Sequence, residues 1–157
     1  AWEIALLDRG SELGLPRDAM EQRGYQREID ETISAVKRLR ESKVRVLIGG
    51  DYGLNITPHG TNSKDLEYFV DLFGMTTSEA LLCATRDGGA AADTSGMVGT
   101  LEEGKYADLL IIDGNPIEDI RILQDHSRIV GVMKDGVMHC ALMQKNPYIA
   151  PNEQMEG

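Results

Sequence analysis

Val44-Arg45-Val46-Leu47-Ile48 is a β-branched, apolar run that follows a long amphipathic stretch and ends in Gly49-Gly50-Asp51. A helix leading into a short strand of this kind implies an α/β layer with a parallel sheet, because parallel strands are covered on both faces and so read as continuously apolar. The preceding stretch carries Ile29, Ile33, Val36 and Leu39 at helical spacing. That stripe can cover one face of such a sheet.

The rest of the chain reads around this pair of elements. Residues 2–13 carry apolar side chains near helical spacing and stop at Gly14, which predicts a short helix. Pro16 and Asp18 open the next helix, and Asp18 with Glu21 has the spacing of a capping box. Beyond the strand, Asn62 or Ser63 can cap a helix whose Leu66, Phe69, Val70 and Phe73 face inward and whose end is marked by Gly74. Thr76 to Glu79 forms a second capping box, and Gly88, Gly89 and three alanines continue its helix as close-packed structure. The character changes at Met97: Gly99 to Pro116 and Arg128 to Leu142 read as β structure, with Asp135-Gly136 a hairpin turn between two apolar runs. The expected organisation is therefore an α/β part over residues 1–96, a small β unit over 97–145 and a polar tail over 146–157.

Charge narrows the functional classes. Sixteen basic residues against twenty-six acidic ones give a net charge of −10, which repels phosphate backbones and anionic lipid head groups. Neither nucleic acid nor a membrane is an expected partner. No apolar run approaches the roughly 20 residues that cross a bilayer, and no leader pattern opens the chain, so the expectation is a cytoplasmic protein. Cys83 and Cys140 lack C-x-x-C spacing and read as buried reduced thiols. The opening Ala1-Trp2-Glu3, without an initiator methionine, reads as the middle of a longer chain.

Ligands of parallel α/β sheets bind outside the carboxyl ends of the strands. Asp51 lies there, where a carboxylate can hold a cation or accept a proton. It is equally a residue that stabilises turns through its own backbone. His59, in Thr57-Pro58-His59-Gly60-Thr61-Asn62, sits in a loop over the same strand end and is either a binding residue or a surface histidine. His126 and His139 read as structural or exposed. Arg86 can reach an anion or satisfy helix carbonyls. A small esterase is the weakest reading, since there is no G-x-S-x-G and Ser42, Ser63, Ser78 and Ser95 have no histidine at suggestive spacing.

Taken in order, Gly49-Gly50-Asp51, P-H-G-x-N from Pro58, G-M-T-x-x-E-A-L from Gly74, Ala84-Thr85-Arg86, the long G-x-L-E-x-G-K-x-A-D-L-L-I-I-D-G-N-P from Gly99 and V-M-K-D-G from Val132 resemble the C-terminal third of the metal-dependent amidohydrolases. The resemblance runs from about Gly10 to His139. It is nearest to the imidazolonepropionase and Xaa-Pro dipeptidase-like branch, which includes hydrolases of ochratoxin, phenylurea herbicides and molinate. It implies the C-terminal portion of a (β/α)8 barrel, with Val44 to Gly50 as the eighth strand, followed by the C-terminal part of a small β-sandwich. Asp51 then falls on the family's strand-eight aspartate, which binds a divalent metal and takes the proton of the attacking water. Zinc is the first choice, with cobalt or manganese as alternatives. His59 and Asn62 fall on a loop that lies beside the substrate in relatives, and carry over as substrate contacts.

The family's other ligands are an H-x-H pair, a carboxylated lysine or glutamate, and two further histidines. No H-x-H occurs here, and all three histidines follow Asp51. One carboxylate does not make a zinc site, so the resemblance implies a piece of a hydrolase of amide, urea, carbamate or related C–N bonds, ester bonds included. It would act on a small amide-type substrate together with the missing N-terminal barrel portion, or as a homo-oligomer. The alternative is a non-catalytic, truncated module for binding or subunit contact.

Overall fold

In the computed structural model, which describes residues 2–141, helices occupy the first part of the chain and strands the last. The expected tail over 146–157 lies outside the described residues. Helix α1 (Trp2–Arg9) passes into a 3-10 turn, Gly10–Leu13, and stops at Gly14, whose φ of 73° suits a residue without a Cβ. The helix expected from Pro16 onward is two helices, α2 (Arg17–Gln22) and α3 (Tyr25–Glu41), because Gly24 turns the chain at φ 84°. Its capping box does not form. Pro16 is the N-cap, Asp18 lies inside the first turn, and Glu21 pairs with Arg17 at 2.9 Å. These helices enclose a small core of Leu6, Leu7 and Met20, closed by Ile56.

The apolar stripe of α3 has no sheet to cover: Ile29, Ile33 and Val36 are half-buried and Leu39 is exposed. Val44 to Gly50, expected as a strand, takes part in no ladder. A strand is defined by its neighbour, and no parallel neighbour exists among the described residues. The side chains still alternate as in a strand. Val46, Ile48 and Gly50 are partly buried, whereas Arg45, Leu47 and Gly49 are exposed.

The layer that covers Val46 and Ile48 comes from the next helices. Helix α4 (Lys64–Asp71) buries Leu66 and Phe69, as its spacing predicts, and the chain turns at Gly74. Ser63 is its N-cap without a side-chain bond; Asn62 instead accepts the Gly60 amide at 3.2 Å. Helix α5 (Thr77–Leu82) starts in the predicted capping box: the Glu79 amide donates to Thr76 Oγ1 at 3.2 Å, and the Thr76 amide to Glu79 Oε2 at 2.7 Å. A π-helical turn, Cys83–Asp87, and α6 (Gly88–Ala92) follow, with the free thiol of Cys83 buried. The small residues serve close approach: a Cβ on Gly89 would lie 2.6 Å from the Gly99 Cα.

The β part is one antiparallel sheet, with β2 (Ile129–Lys134) between β1 (Leu109–Ile112) and β3 (Val137–Ala141). Asp135 and Gly136 have φ of 49° and 76°, the pair of left-handed conformations that a two-residue hairpin of type I′ requires. Asp108 fastens the turn, pairing with Lys134 and accepting the Asp135 amide at 2.7 Å. The second sheet of a sandwich is not present among the described residues. Instead, a 3-10 turn (Ile120–Gln124) drives Ile120 into the α4–α5 core, where it is 2% exposed, and Arg121 bridges to Glu67 and Asp71 on α4. No described helix is long and apolar enough to cross a membrane.

Ile120→Ala should cost about 2–5 kcal/mol in denaturant unfolding, because it empties a filled site. Ile117→Ala, at a side chain 57% exposed, should cost less than about 0.5 kcal/mol. Thr76→Ala should remove about 1 kcal/mol. The Thr76 backbone and hydroxyl hydrogen bonds hold the Glu79 carboxyl below the usual glutamate range. A carboxyl depressed on folding adds stability at neutral pH that is lost as pH falls through its folded value, so the Thr76→Ala deficit should shrink in acid titrations of stability.

Candidate functional site

Alternation of side chains decides which groups meet where the Val44 segment ends. Val46, Ile48 and Gly50 face the α4–α5 layer, and Tyr52 continues that side: a Cβ on Gly50 would lie 2.3 Å from the Tyr52 ring and 2.4 Å from Asp65 Oδ2. Asp51 falls on the other side with Leu47 and Gly49, and is exposed. Among the described residues its carboxylate has no hydrogen-bond or ion-pair partner. Its backbone carbonyl, in contrast, accepts Thr57 Oγ1 at 2.9 Å, and Thr57 is 4% exposed.

The loop after Asp51 is tightly tied. The Gly53 and Leu54 amides donate to the Thr57 carbonyl at 2.7 and 3.2 Å, and the Thr57 amide returns to Leu54 at 3.0 Å. His59 is exposed and folds back on Gly53, where a Cβ would lie 2.9 Å from its Nε2. Gly53 at φ 115° leaves room for that contact. Asn62 is exposed; its side chain accepts the Gly60 amide and locks that turn, and its carbonyl accepts the Asp65 amide at 3.1 Å. The loop thus brings His59 back beside the turn that follows Asp51, while Asn62 stays at the loop's far end, engaged with backbone. His126 reaches in from the β part, its Nε2 2.9 Å from the Gly60 carbonyl; His139 is exposed on β3. Arg86 pairs with Asp87 at 2.8 Å, which leaves it to a local ion pair.

Beneath the loop lies a cavity of about 360 Å³ lined by Asp8, Arg9, Tyr52, Lys64, Tyr68 and His126, among others. Asp51, His59 and Asn62 do not line it. Its charged walls are largely engaged already: Arg9 with Glu12, and Lys64 with Glu67.

Two residues at the site are invisible to motif reading. Asp65, in the first turn of α4, is 4% exposed and accepts the Tyr52 hydroxyl at 2.8 Å. Burial and that hydrogen bond push the Tyr52 phenol well above its usual range, so it stays protonated as the donor. The available signal was position: Asp65 lies four residues before Phe69, on the helix face that faces inward. A carboxylate there is buried, and a buried carboxylate needs a partner.

The described residues do not make a metal centre. No group of three or more His, Cys, Asp or Glu side chains among them converges on one point. Asp51 offers a free carboxylate but stands alone, so no step through a metal follows from these residues.

Gly50→Ala should cost about 1–3 kcal/mol in denaturant unfolding by displacing Tyr52 or Asp65. Gly49→Ala, whose Cβ would meet nothing within 4 Å, should leave stability nearly unchanged and serves as its control.

Comparison with known proteins adds what the geometry leaves open. Ochratoxinase of Aspergillus niger is 31% identical over 100 residues, covering 63% of this chain and 20% of the relative. Imidazolonepropionase of Sphingopyxis alaskensis is 34% identical over 84 residues, covering 53% and 21%. The chain thus spans about a fifth of the length of the curated relatives it matches. Among solved structures, A. niger ochratoxinase superposes with a TM-score of 0.71 at 23% identity over 92% of this chain and 34% of that one. A prolidase complexed with N-methylphosphonate-L-proline gives 0.72 at 25% identity over 88% and 33%. These neighbours carry the barrel-type amidohydrolase fold. The amidohydrolase family model matches residues 11–138, nearly the whole described chain, and the chain therefore belongs to the amidohydrolase family, with hydrolases as its relatives.

Proposed function

We propose that this chain is the C-terminal portion of a metal-dependent hydrolase of amide, urea, carbamate or related C–N bonds, ester bonds included, in which Asp51 is a metal ligand and the base that takes the proton of the attacking water. The observation that carries this reading is the side on which Asp51 falls. It shares the open face of the Val44 segment with Leu47 and Gly49, opposite the helical layer, and in a barrel the face opposite the helices is the interior. A carboxylate at the carboxyl end of a strand, on the interior side and free of local partners, is available for chemistry.

In this reading zinc, or else cobalt or manganese, is bound chiefly by residues outside this chain, and His59 and Asn62 contact a small amide-type substrate. Residues 1–96 complete the barrel, and 97–145 form a sandwich segment. Exposed Leu39, Val44 and Leu47, at 43, 48 and 38%, then meet the rest of the barrel or another copy of the chain. A non-catalytic contact module is the second reading, favoured by the lack of a three-ligand cluster among the described residues.

Metal analysis and a panel of N-acyl amino acids, amides, carbamates and esters, applied to this chain joined to its preceding barrel segment, separate the two. Stoichiometric metal and turnover are expected, and Asp51→Asn should lower kcat by about 10²–10⁴-fold. Absence of both metal and turnover would leave the contact module. For the 157-residue chain alone, light scattering should show an associated state; a monodisperse monomer contradicts the expected contact through Leu39, Val44 and Leu47.

A further inference from the structure

We infer that Asp65, acting through Tyr52, and Thr57 are positioning residues that fix the backbone on both sides of Asp51. For its catalytic consequence this rests on the reading of Asp51 given above; the positioning itself rests on geometry alone.

Before Asp51, Gly50 is packed against the Asp65 carboxylate and the Tyr52 ring so closely that a single added carbon has no room. After Asp51, the Tyr52 hydroxyl donates to Asp65 Oδ1 at 2.8 Å. At Asp51 itself, the carbonyl is held by Thr57 Oγ1 at 2.9 Å. Asp65 and Thr57 are each 4% exposed, so one end of each bond is shielded from water, and such a bond fixes its partner more firmly than a fully exposed one. Among the described residues nothing comparable holds the Asp51 carboxylate. The arrangement is rigid in the backbone and free at the reactive oxygens, which is what a ligand or base must have when geometry tolerances are about 0.5 Å.

Neither Asp65 nor Thr57 shares the exposed face of Asp51, so neither touches a substrate lodged there. Their role is support, Asp65 from helix α4 and Thr57 from within the loop. Buried polar groups of this kind are costly unless they are partnered, and the described side-chain partner of Asp65 is Tyr52. The cost is therefore linked to the one segment that Asp65 braces.

The test has two arms. In the 157-residue chain, Tyr52→Phe and Thr57→Val should raise hydrogen-exchange rates of the Gly53 and Thr57 amides at least tenfold, while amides of α3 stay unchanged. Asp65→Asn, which keeps an acceptor for the Tyr52 hydroxyl, should restore most of the protection lost in Asp65→Ala. In the enzyme that carries this segment, Tyr52→Phe should lower kcat or metal affinity by about 10–100-fold, with KM changed less than about twofold.

Unchanged exchange in Tyr52→Phe and Thr57→Val overturns the positioning. Loosened amides with an unchanged kcat and metal affinity, in an enzyme that does turn over, overturn its catalytic purpose. If the wild-type enzyme neither binds metal nor turns over while the amides loosen as expected, the hydrolase reading falls and the positioning stands.

Discussion

The packing of one side of the Val44–Gly50 segment onto the α4–α5 layer is the constraint on which the rest depends. Val46 and Ile48 close the cluster of Leu66, Phe69, Met75, Ala80, Cys83 and Ile120. With that side committed, the period of two along the backbone sends Leu47, Gly49 and Asp51 the other way. Slipping the segment by one residue would bury Asp51 and expose Tyr52. The Tyr52–Asp65 hydrogen bond and the tight seat of Gly50 both act against that slip.

The two halves of the chain are joined by the same core. Ile120 is contributed by the β part yet is buried among helical residues, and the Thr77 hydroxyl donates to the Ile117 carbonyl at 2.6 Å. Arg121 adds ion pairs to Glu67 and Asp71, but its own side chain is 53% exposed, and pairs to an exposed cation contribute little individually. Burial of Ile120 rather than charge holds the sheet unit to the helices. On the open side Leu39, Val44 and Leu47 stay exposed, apolar surface of the kind that marks contact with further protein.

Much of this was legible from local rules. The Thr76–Glu79 capping box, the stop signals at Gly14 and Gly74, the inward face of α4 and the Asp135-Gly136 hairpin all depend on residues within a few positions of one another, and they form as read. Where several residues compete for a local role, their neighbours in the fold decide the outcome. Asp18 lost the N-cap to Pro16, and Gly24 broke the single helix expected from Pro16 onward. The strand at Val44 kept its alternation and lost its ladder, since hydrogen-bonded pairing is a property of two segments and not of one.

At the site the division is sharper. From the sequence alone came the family resemblance, the placement of Asp51 at the end of an apolar segment and the loop that bears His59 and Asn62, because each is written in contiguous residues. Only the tertiary structure decided that Tyr52 turns inward to a buried Asp65, that Thr57 holds the Asp51 carbonyl, that His59 folds back on Gly53 and that Asn62 is engaged with its own loop. The physical reason is burial. An aspartate in the first turn of a helix reads the same whether solvated or enclosed, and its solvent exposure is set by side chains that arrive from elsewhere in the chain.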